Sequence, residues 1–498
     1  METALVLPSR SVAVLPFENL SAEPSNEYLA LGMAETVLHR LGSVSDLTVI
    51  ARTSSFTFKN RNEDARNIGR ALNARYLVDG SVQRAGERLR VQAQLIDAAS
   101  GKQMWSLAFD RPLADIFALQ DEISIRVANQ LSVSLAPGAP VQNDARTSHV
   151  DAYLEFMQGR ALDSTNRIAD TRQAIQHFAK AIQIDPQFAA AYALESRAIG
   201  RLDGFEEKND PATLKRAIEL NDRALALDPQ LGEAWVQRAG LLLAVSNDKD
   251  VVEAEKAFRK GLALAPNYGQ GFEEFAGFMW QLNRLDDALQ MIERARQVDP
   301  LAPRNHYMKA QMLDEKGGNA AEVESLYLQA LKLNPTYHPA LIRFGWWYLW
   351  RGDYAKGLVL QENAIRVEPE ADWVRQRVVS AYLIIGDVRA AEDVLDTGHK
   401  PVGEMTVCVS MLKGDHVAAL SSAYEFFGAR ARDADTFAQL CAAAEIFRDA
   451  QRTRHYERAL AQDPANTEAR TLLARAESAI PRPVDPRIKQ KQEDFKLA

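Results

Sequence analysis

Arg52-Thr-Ser-Ser55 brings a guanidinium and three hydroxyls together directly after a short apolar run, where they could meet an anion at the edge of a sheet. The plainer reading is a loop whose hydroxyls bond their own backbone, as serine and threonine do in turns. Arg52, Ser54 and Ser55 are therefore weak anion or ligand candidates. So is Asp79, although Asp79-Gly80 within Val78–Val82 also reads as a bulge or bend in a strand. A denser signal is aromatic: Trp346-Trp347-Tyr348 is followed at once by Trp350, a run that covers more than one side of any helix, so some of its rings should be left exposed. Exposed aromatic rings in a concavity are the anchors of protein interfaces, whereas buried ones simply fill gaps between helices.

Catalytic phrases are missing. The chain has no Gly-x-x-x-x-Gly-Lys-Ser/Thr phosphate loop, no Gly-x-Gly-x-x-Gly, no His-Glu-x-x-His, no Cys-x-x-Cys and no Gly-x-Ser-x-Gly. Its eight histidines, at 39, 149, 177, 306, 338, 399, 416 and 455, include no pair four residues apart that would turn two imidazoles to one metal. The doublets Asp286-Asp287 and Glu273-Glu274 diverge by about 100° on a helix, so they do not face each other. Cys408 and Cys441 read as two small buried side chains, with a redox pair as the remoter alternative. No catalytic residue, metal or cofactor is expected.

The elements that must position these groups fall into two kinds. Over residues 11–135, strand-like runs (11–17, 47–51, 76–82, 89–96 and 103–109) alternate with helical ones (27–41, 64–72 and 115–135). The order β-α-β-α-β-β-β-α predicts an α/β domain with a mixed sheet. Residues 136–148, with two prolines and a glycine, read as a linker, and from about 149 the pattern is helical throughout.

Five blocks of the first part, Val12-Ala-Val-Leu-Pro-Phe-Glu-Asn-Leu-Ser21, Ala51-Arg-Thr-Ser-Ser-Phe56, Leu77-Val-Asp-Gly-Ser-Val82, Gln94-Leu-Ile-Asp-Ala98 with Trp105, and Asp115-Ile-Phe-Ala-Leu-Gln-Asp-Glu-Ile123, resemble in order the TolB amino-terminal-like domain of bacterial signalling and envelope proteins. That resemblance implies a place between an N-terminal effector (a nucleotide cyclase, a winged-helix domain or a kinase) and a C-terminal run of tetratricopeptide repeats. Ten residues precede the first strand here, too few for an effector, so the expectation is a chain that acts through another polypeptide or is a piece of a longer one.

In the second part an Ala-x-x-x-x-Pro phrase recurs at Pro186, Pro229, Pro300, Pro335, Pro369 and Pro464, with Gly261–Pro266 as a variant. The prolines are spaced by 43, 37, 34, 35, 34 and 95 residues, and a period near 34 resembles the tetratricopeptide repeat. Each proline ends the second helix of a pair, and the small residue five before it lets that helix pack closely. Ala239, Ala276, Ala310 and Gly345 do the same in the first helices. The fold expected is thus an α/β mixed-sheet domain over 1–135, a linker over 136–148, an all-α solenoid of about nine repeats over 149–480, two of them degenerate, and a tail over 481–498. Aligning the repeats puts first helices on the inner wall, with Trp280, Arg304, Tyr307, Trp346, Trp350 and Trp373 facing a groove, Trp373 beside the Trp346/Trp350 pair.

Over 498 residues Lys and Arg number 59 against 67 Asp and Glu, net −8, which argues against direct nucleic-acid binding. The first 140 residues carry net −1 and the remainder −7, so the acidity belongs to the helical part. The longest apolar run, Phe344–Trp350, is far short of the roughly 20 residues of a spanning helix, and the N-terminus lacks a secretory signal. The expected place is the cytoplasm, or the periplasm if the chain is a fragment of a membrane-anchored protein. The expected function is a non-enzymatic adaptor that takes a protein or peptide partner in the repeat groove and uses the α/β domain as a second interaction or sensing module. The alternative is the regulatory half of a bacterial signalling protein whose output domain lies outside this chain. Oligomeric state stays open.

Overall fold

The computed structural model describes residues 7–44, 46–59, 63–131, 147–165, 167–205, 210–245, 248–369, 371–385, 388–396 and 470. The expected linker apart from residues 147 and 148, both cysteines and the tail lie outside the described residues.

β1 (Ser11–Val14) is buried along its whole length, because helices cover both faces of the sheet. Its side chains alternate. Val12 and Val14 point into a core shared with α1 (Glu27–Gly42), whereas Ala13 and Leu15 meet Ile68 and Leu72 of α3 (Ala65–Leu72). The expected strand over 11–17 stops early at Pro16, which has no N–H, although the Leu15 N–H still reaches the Val78 carbonyl at 2.8 Å. β2 (Glu18–Asn19) is a two-residue strand that the sequence pattern does not show. β3 (Thr48–Val49) follows α1, and Arg52–Ser55, expected as a loop, winds instead into a single helical turn, α2.

β4 (Tyr76–Ala85), β5 (Arg88–Asp97) and β6 (Lys102–Pro112) form an antiparallel meander, and α4 (Ile116–Gln130) closes over it. The strand order is β3-β1-β4-β5-β6, with β1 parallel to β3 and β4, and β2 parallel to β4. This is the expected mixed sheet. Asp79-Gly80 is not a bulge: β4 pairs β5 in unbroken register through Gly80↔Ala93, and the one register shift falls in the β5–β6 pairing, at Leu95/Ile96. Gly80 is required there by space, since a Cβ would sit 2.3 Å from the Gln92 carbonyl oxygen and 3.1 Å from the Phe17 ring.

From residue 150 the described helices come as antiparallel pairs: α5 (Val150–Asp163) with α6 (Ile168–Ile184), α7 (Ala189–Phe205) with α8 (Pro211–Leu227), α9 (Gly232–Val245) with α10 (Asp248–Leu264), and α11 (Gly269–Gln281) with α12 (Leu285–Val298). α13 (Pro303–Glu315), α14 (Ala320–Leu333), α15 (His338–Leu349), α16 (Tyr354–Val367), α17 (Asp372–Ile385) and α18 (Val388–Asp396) continue the series. The chain thus has a mixed-sheet α/β domain followed by a tetratricopeptide-type solenoid.

The repeated phrase has one geometry. The residue before each proline closes the last helical bond onto the small residue, as Asp185 N–H to Ala181 O (2.9 Å), Asp228 to Ala224 (2.8 Å), Asp299 to Ala295 (2.7 Å) and Glu368 to Ala364 (3.0 Å). Those four pre-proline residues then turn out of the helical region to φ −131° to −136°. The small residues Ala181, Ala224, Ala295, Ala330 and Ala364 have no exposed surface, and neither have Ala239, Ala276 and Ala310.

The chain divides into two compact units, residues 1–319 and 320–498. In the first, one hydrophobic core runs from β1 and α1 through α4 into α5, α6 and α7. Tyr153 of α5 joins them, its hydroxyl 2.6 Å from Thr36 Oγ1 and accepting from Gln120 Nε2 at 2.8 Å. α1 is therefore buried on two sides, by the sheet and by α5, which accounts for its having no exposed position.

Candidate functional site

Two turns of the solenoid clasp the segment between α1 and α2. In three of these turns the side chain before the proline folds back on its own loop: Asp185 accepts the Gln187 N–H (2.9 Å), Asp228 the Gln230 N–H (2.9 Å) and Asn334 the Thr336 N–H (3.0 Å). At Asp299 the pattern is opened and a serine from the α/β domain is inserted. Ser54 Oγ donates to Asp299 Oδ1 and accepts the Leu301 N–H at 2.8 Å, while Thr53 Oγ1 donates to Asp299 Oδ2 at 2.5 Å. The Ala51 N–H bonds the Val298 carbonyl at 2.6 Å. One turn earlier along the array, Asn267 accepts the Val49 N–H (3.0 Å) and donates to the carbonyls of Gly42 (2.9 Å) and Leu47 (3.0 Å).

Beside this joint lies a cavity of about 550 Å³. α1 and α2 form one wall, and α5, α7, α9 and α11, the first helices of four successive pairs, form the other. Each helix presents polar residues at helical spacing: Glu35 and His39 from α1, Arg160 and Asp163 from α5, Arg197 and Arg201 from α7, Glu233 and Gln237 from α9, Gln270 and Glu274 from α11.

The charges are layered. Glu35 binds both Arg52 and Arg160 (3.0 Å), and Asp163 binds both Arg197 (3.3 Å) and Arg201. The two carboxylates are 3% and 4% exposed, against 27% for Arg52, 30% for Arg197 and 26% for Arg201, so the acids hold the guanidiniums from behind. His39 bridges Arg160 (2.7 Å) and Glu233 (3.4 Å). Burial pushes the Glu35 carboxyl up, but the Arg160 and Arg52 guanidiniums outweigh it and hold Glu35 below the usual carboxylate range. Burial works against the charge of Arg197, which Tyr268 and Asp163 nevertheless hold firmly protonated. Burial raises Glu274, whose hydrogen bond comes from the neutral amide of Gln270 at 2.9 Å.

Of the four ligand candidates, Arg52 lines the cavity. Ser54 belongs to the joint, Ser55 donates to its own loop at Ile50 O (3.3 Å), and Asp79 accepts from Gln94 Nε2 across the β4–β5 pair (2.8 Å). The groove candidates are divided between the two units. In the first, Trp280 is half-buried with its indole N–H on Glu315 (2.6 Å), Arg304 is paired with Glu273 (2.5 Å), and Tyr307 is half-buried on α13. In the second, Trp346 and Trp350 meet edge-to-face at 6.1 Å. Trp373 packs against His338 at 5.2 Å. His338 opens α15 and Trp350 follows its end, so Trp373 stands about 18 Å along the helix axis from Trp350 rather than beside it. Trp350 and Trp373 are 43% and 46% exposed, while Trp347 is 5% exposed.

The cavity residues other than Arg52 were missed by reading the sequence. Their signal is a polar pair three or four apart on each first helix, legible once the repeats are aligned; that α1 closes over them is not.

Among the described residues no helix is long and apolar enough to cross a membrane. No family model matches the chain. It is 36% identical over 255 residues, half of its length, to a protein of Rhizobium meliloti (strain 1021) named "Putative adenylate cyclase 3". Among solved structures, it resembles a thermophilic tetratricopeptide-repeat protein of Thermus thermophilus (16% identity, 39% of this chain and 96% of that one, TM-score 0.33). It also resembles YrrB, described as a repeat protein with an unusual peptide-binding site (21%, 40% and 96%, TM-score 0.29). The chain spans 43% of the length of the Rhizobium relative.

Proposed function

We propose that the chain is a non-enzymatic protein-interaction module, with a peptide segment of a partner protein seated on α15 and α17. The observation that carries this is the contrast between first helices. Those of the first four pairs face the chain's own α/β domain across the cavity, whereas α15 and α17 carry the exposed indoles of Trp350 and Trp373. An indole offers a large apolar face and one N–H, the combination that anchors peptides at low entropic cost. Within the first unit, Trp280, Arg304 and Tyr307 are proposed as groove residues by themselves, on α11 and α13, and residues 1–135 act as the second interaction or sensing module. Peptides selected from a displayed library on the whole chain should lose at least tenfold in affinity for a Trp350→Ala/Trp373→Ala variant whose circular dichroism and melting temperature are kept. Peptides that bind this variant unchanged would sink the proposal.

A second reading, the regulatory part of a signalling protein whose output lies outside these residues, is supported by the similarity to the Rhizobium relative and by the TolB-like phrases. Both readings expect the purified chain, given ATP and Mg²⁺, to form no cyclic nucleotide. Turnover abolished by a single substitution would overturn the non-enzymatic reading.

A further inference from the structure

The cavity between α1–α2 and the solenoid is polarised by the order of its helices. Its basic wall is on α5 and α7, where Arg197 and Arg201 share one buried carboxylate, Asp163, leaving the trio one positive charge in excess. The side chains of Arg197 and Arg201 are 30% and 26% exposed, so part of each guanidinium faces the cavity, although Arg197 also bonds Tyr268. The next two first helices supply the acidic wall, Glu233 on α9 and Glu274 on α11. Glu233 faces His39 at 3.4 Å, and Glu274 takes its hydrogen bond from the neutral Gln270 amide. A simple anion would meet repulsion at one wall and a simple cation at the other, whereas a molecule with opposite charges at its two ends meets complementary groups at both.

Size narrows the class. Neighbouring helices pack about 8–10 Å apart, so a molecule reaching from α7 to α9 or α11 must separate its charges by more than a single α-amino acid does. A chain of three residues spans roughly 10 Å, and the cavity of about 550 Å³ lies within the roughly 300–1,000 Å³ of small-ligand sites. We infer that this cavity binds a short peptide with free termini, its carboxylate on Arg197 and Arg201 of α7 and its ammonium on Glu233 and Glu274 of α9 and α11. Such a ligand touches the α/β domain through Arg52 and His39 and four helix pairs at once, so its binding adds to the Ser54–Asp299 joint in holding the first unit closed. This site is separate from the indoles of α15 and α17, and its test does not depend on them.

The experiment is native mass spectrometry of the full chain with a random tripeptide pool, the same pool N-acetylated, and the same pool C-amidated. Adducts at tripeptide masses are expected from the free pool, at least tenfold fewer from each blocked pool. Glu274→Gln should remove most of the preference for a free amine while leaving the circular dichroism spectrum unchanged, and Glu233→Gln serves should Glu274→Gln fail to fold. Absence of adducts at millimolar pool concentration would overturn the inference. So would equal adducts from free and acetylated pools, or displacement of the free pool by inorganic phosphate alone, which would show a site that reads only an anion.

Discussion

Replacing Ser54 with alanine removes the donor to Asp299 and the acceptor of the Leu301 N–H together, in a place with no access to water. Each buried polar group left unpaired costs about 1–3 kcal/mol. Ser54→Ala should therefore lower the stability of the first unit by about 2 kcal/mol or more in urea unfolding. Asp299→Ala should cost at least as much, and the double variant less than the sum, because both break one joint. A loss below about 0.5 kcal/mol, the low end for a single net hydrogen bond, or simple additivity, would show the joint to be incidental. Glu273 on α11 gives a pH dependence. Burial drives its carboxyl up to about 7, and the nearby Arg304 only partly opposes this. The folded chain then holds a proton that the unfolded chain releases near pH 4.5. Its contribution to stability is complete below about pH 4.5 and is lost as the pH rises through about 7. Glu274 and Asp299, also raised by burial, act in the same direction, whereas Glu35, held low, contributes stability that is lost only on acidification below the ordinary carboxylate range. Urea midpoints should fall from about pH 5 to about pH 8, and Glu273→Gln should flatten the fall; an unchanged slope would remove Glu273 as its source.

At the scale of the element, α15 sorts its aromatic residues by the side they occupy. Trp347 is buried against Phe344, with the Arg351 guanidinium 4.0 Å from its ring centre. Trp350 caps the helix in the open. Trp347→Ala should cost about 3–5 kcal/mol, as large aromatic truncations in cores do, and Trp350→Ala under about 1 kcal/mol; similar melting temperatures for the two would contradict this sorting. Trp346 lies between these extremes, packed against the core of its unit. Gly345 on the same helix faces α16 so closely that a Cβ would stand 2.4 Å from Gln361 Nε2 and 2.9 Å from the Gly357 carbonyl. Since Gln361 is fixed by its bond to the Ile342 carbonyl (2.8 Å), Gly345→Ala should destabilise the α15–α16 pair by about 1–3 kcal/mol, read as a lower thermal midpoint.

For the whole molecule, the boundary between fold types and the boundary between compact units are different things. A composition change near 136–148 separates the sheet domain from the helices, yet Tyr153, Arg160 and Asp299 tie those helices back to α1 and α2. Residues 1–319 should therefore fold alone and melt in one transition, and a chain cut within 136–148 should keep its two pieces together on a sizing column. Separation of the pieces into independently folded fragments would refute this. Much of the architecture was legible in the sequence because its causes are local: the proline that ends a helix, the small residue that admits a neighbour, and the alternation of β5 all act within a few residues. β2 and α2 escaped because two residues and one turn carry no periodicity. The cavity escaped for a deeper reason. Arg197 and Glu274 are ordinary charged residues on amphipathic helices until α1 is laid across them, and that placement depends on contacts such as Ser54 to Asp299, whose partners lie 245 residues apart. Short-range chemistry in the sequence by itself determined the helix pairs and the sheet; only the tertiary structure decided that the sheet domain would occupy the inner side of the first four pairs, because that choice rests on the summed fit of distant surfaces and not on any one stretch of chain.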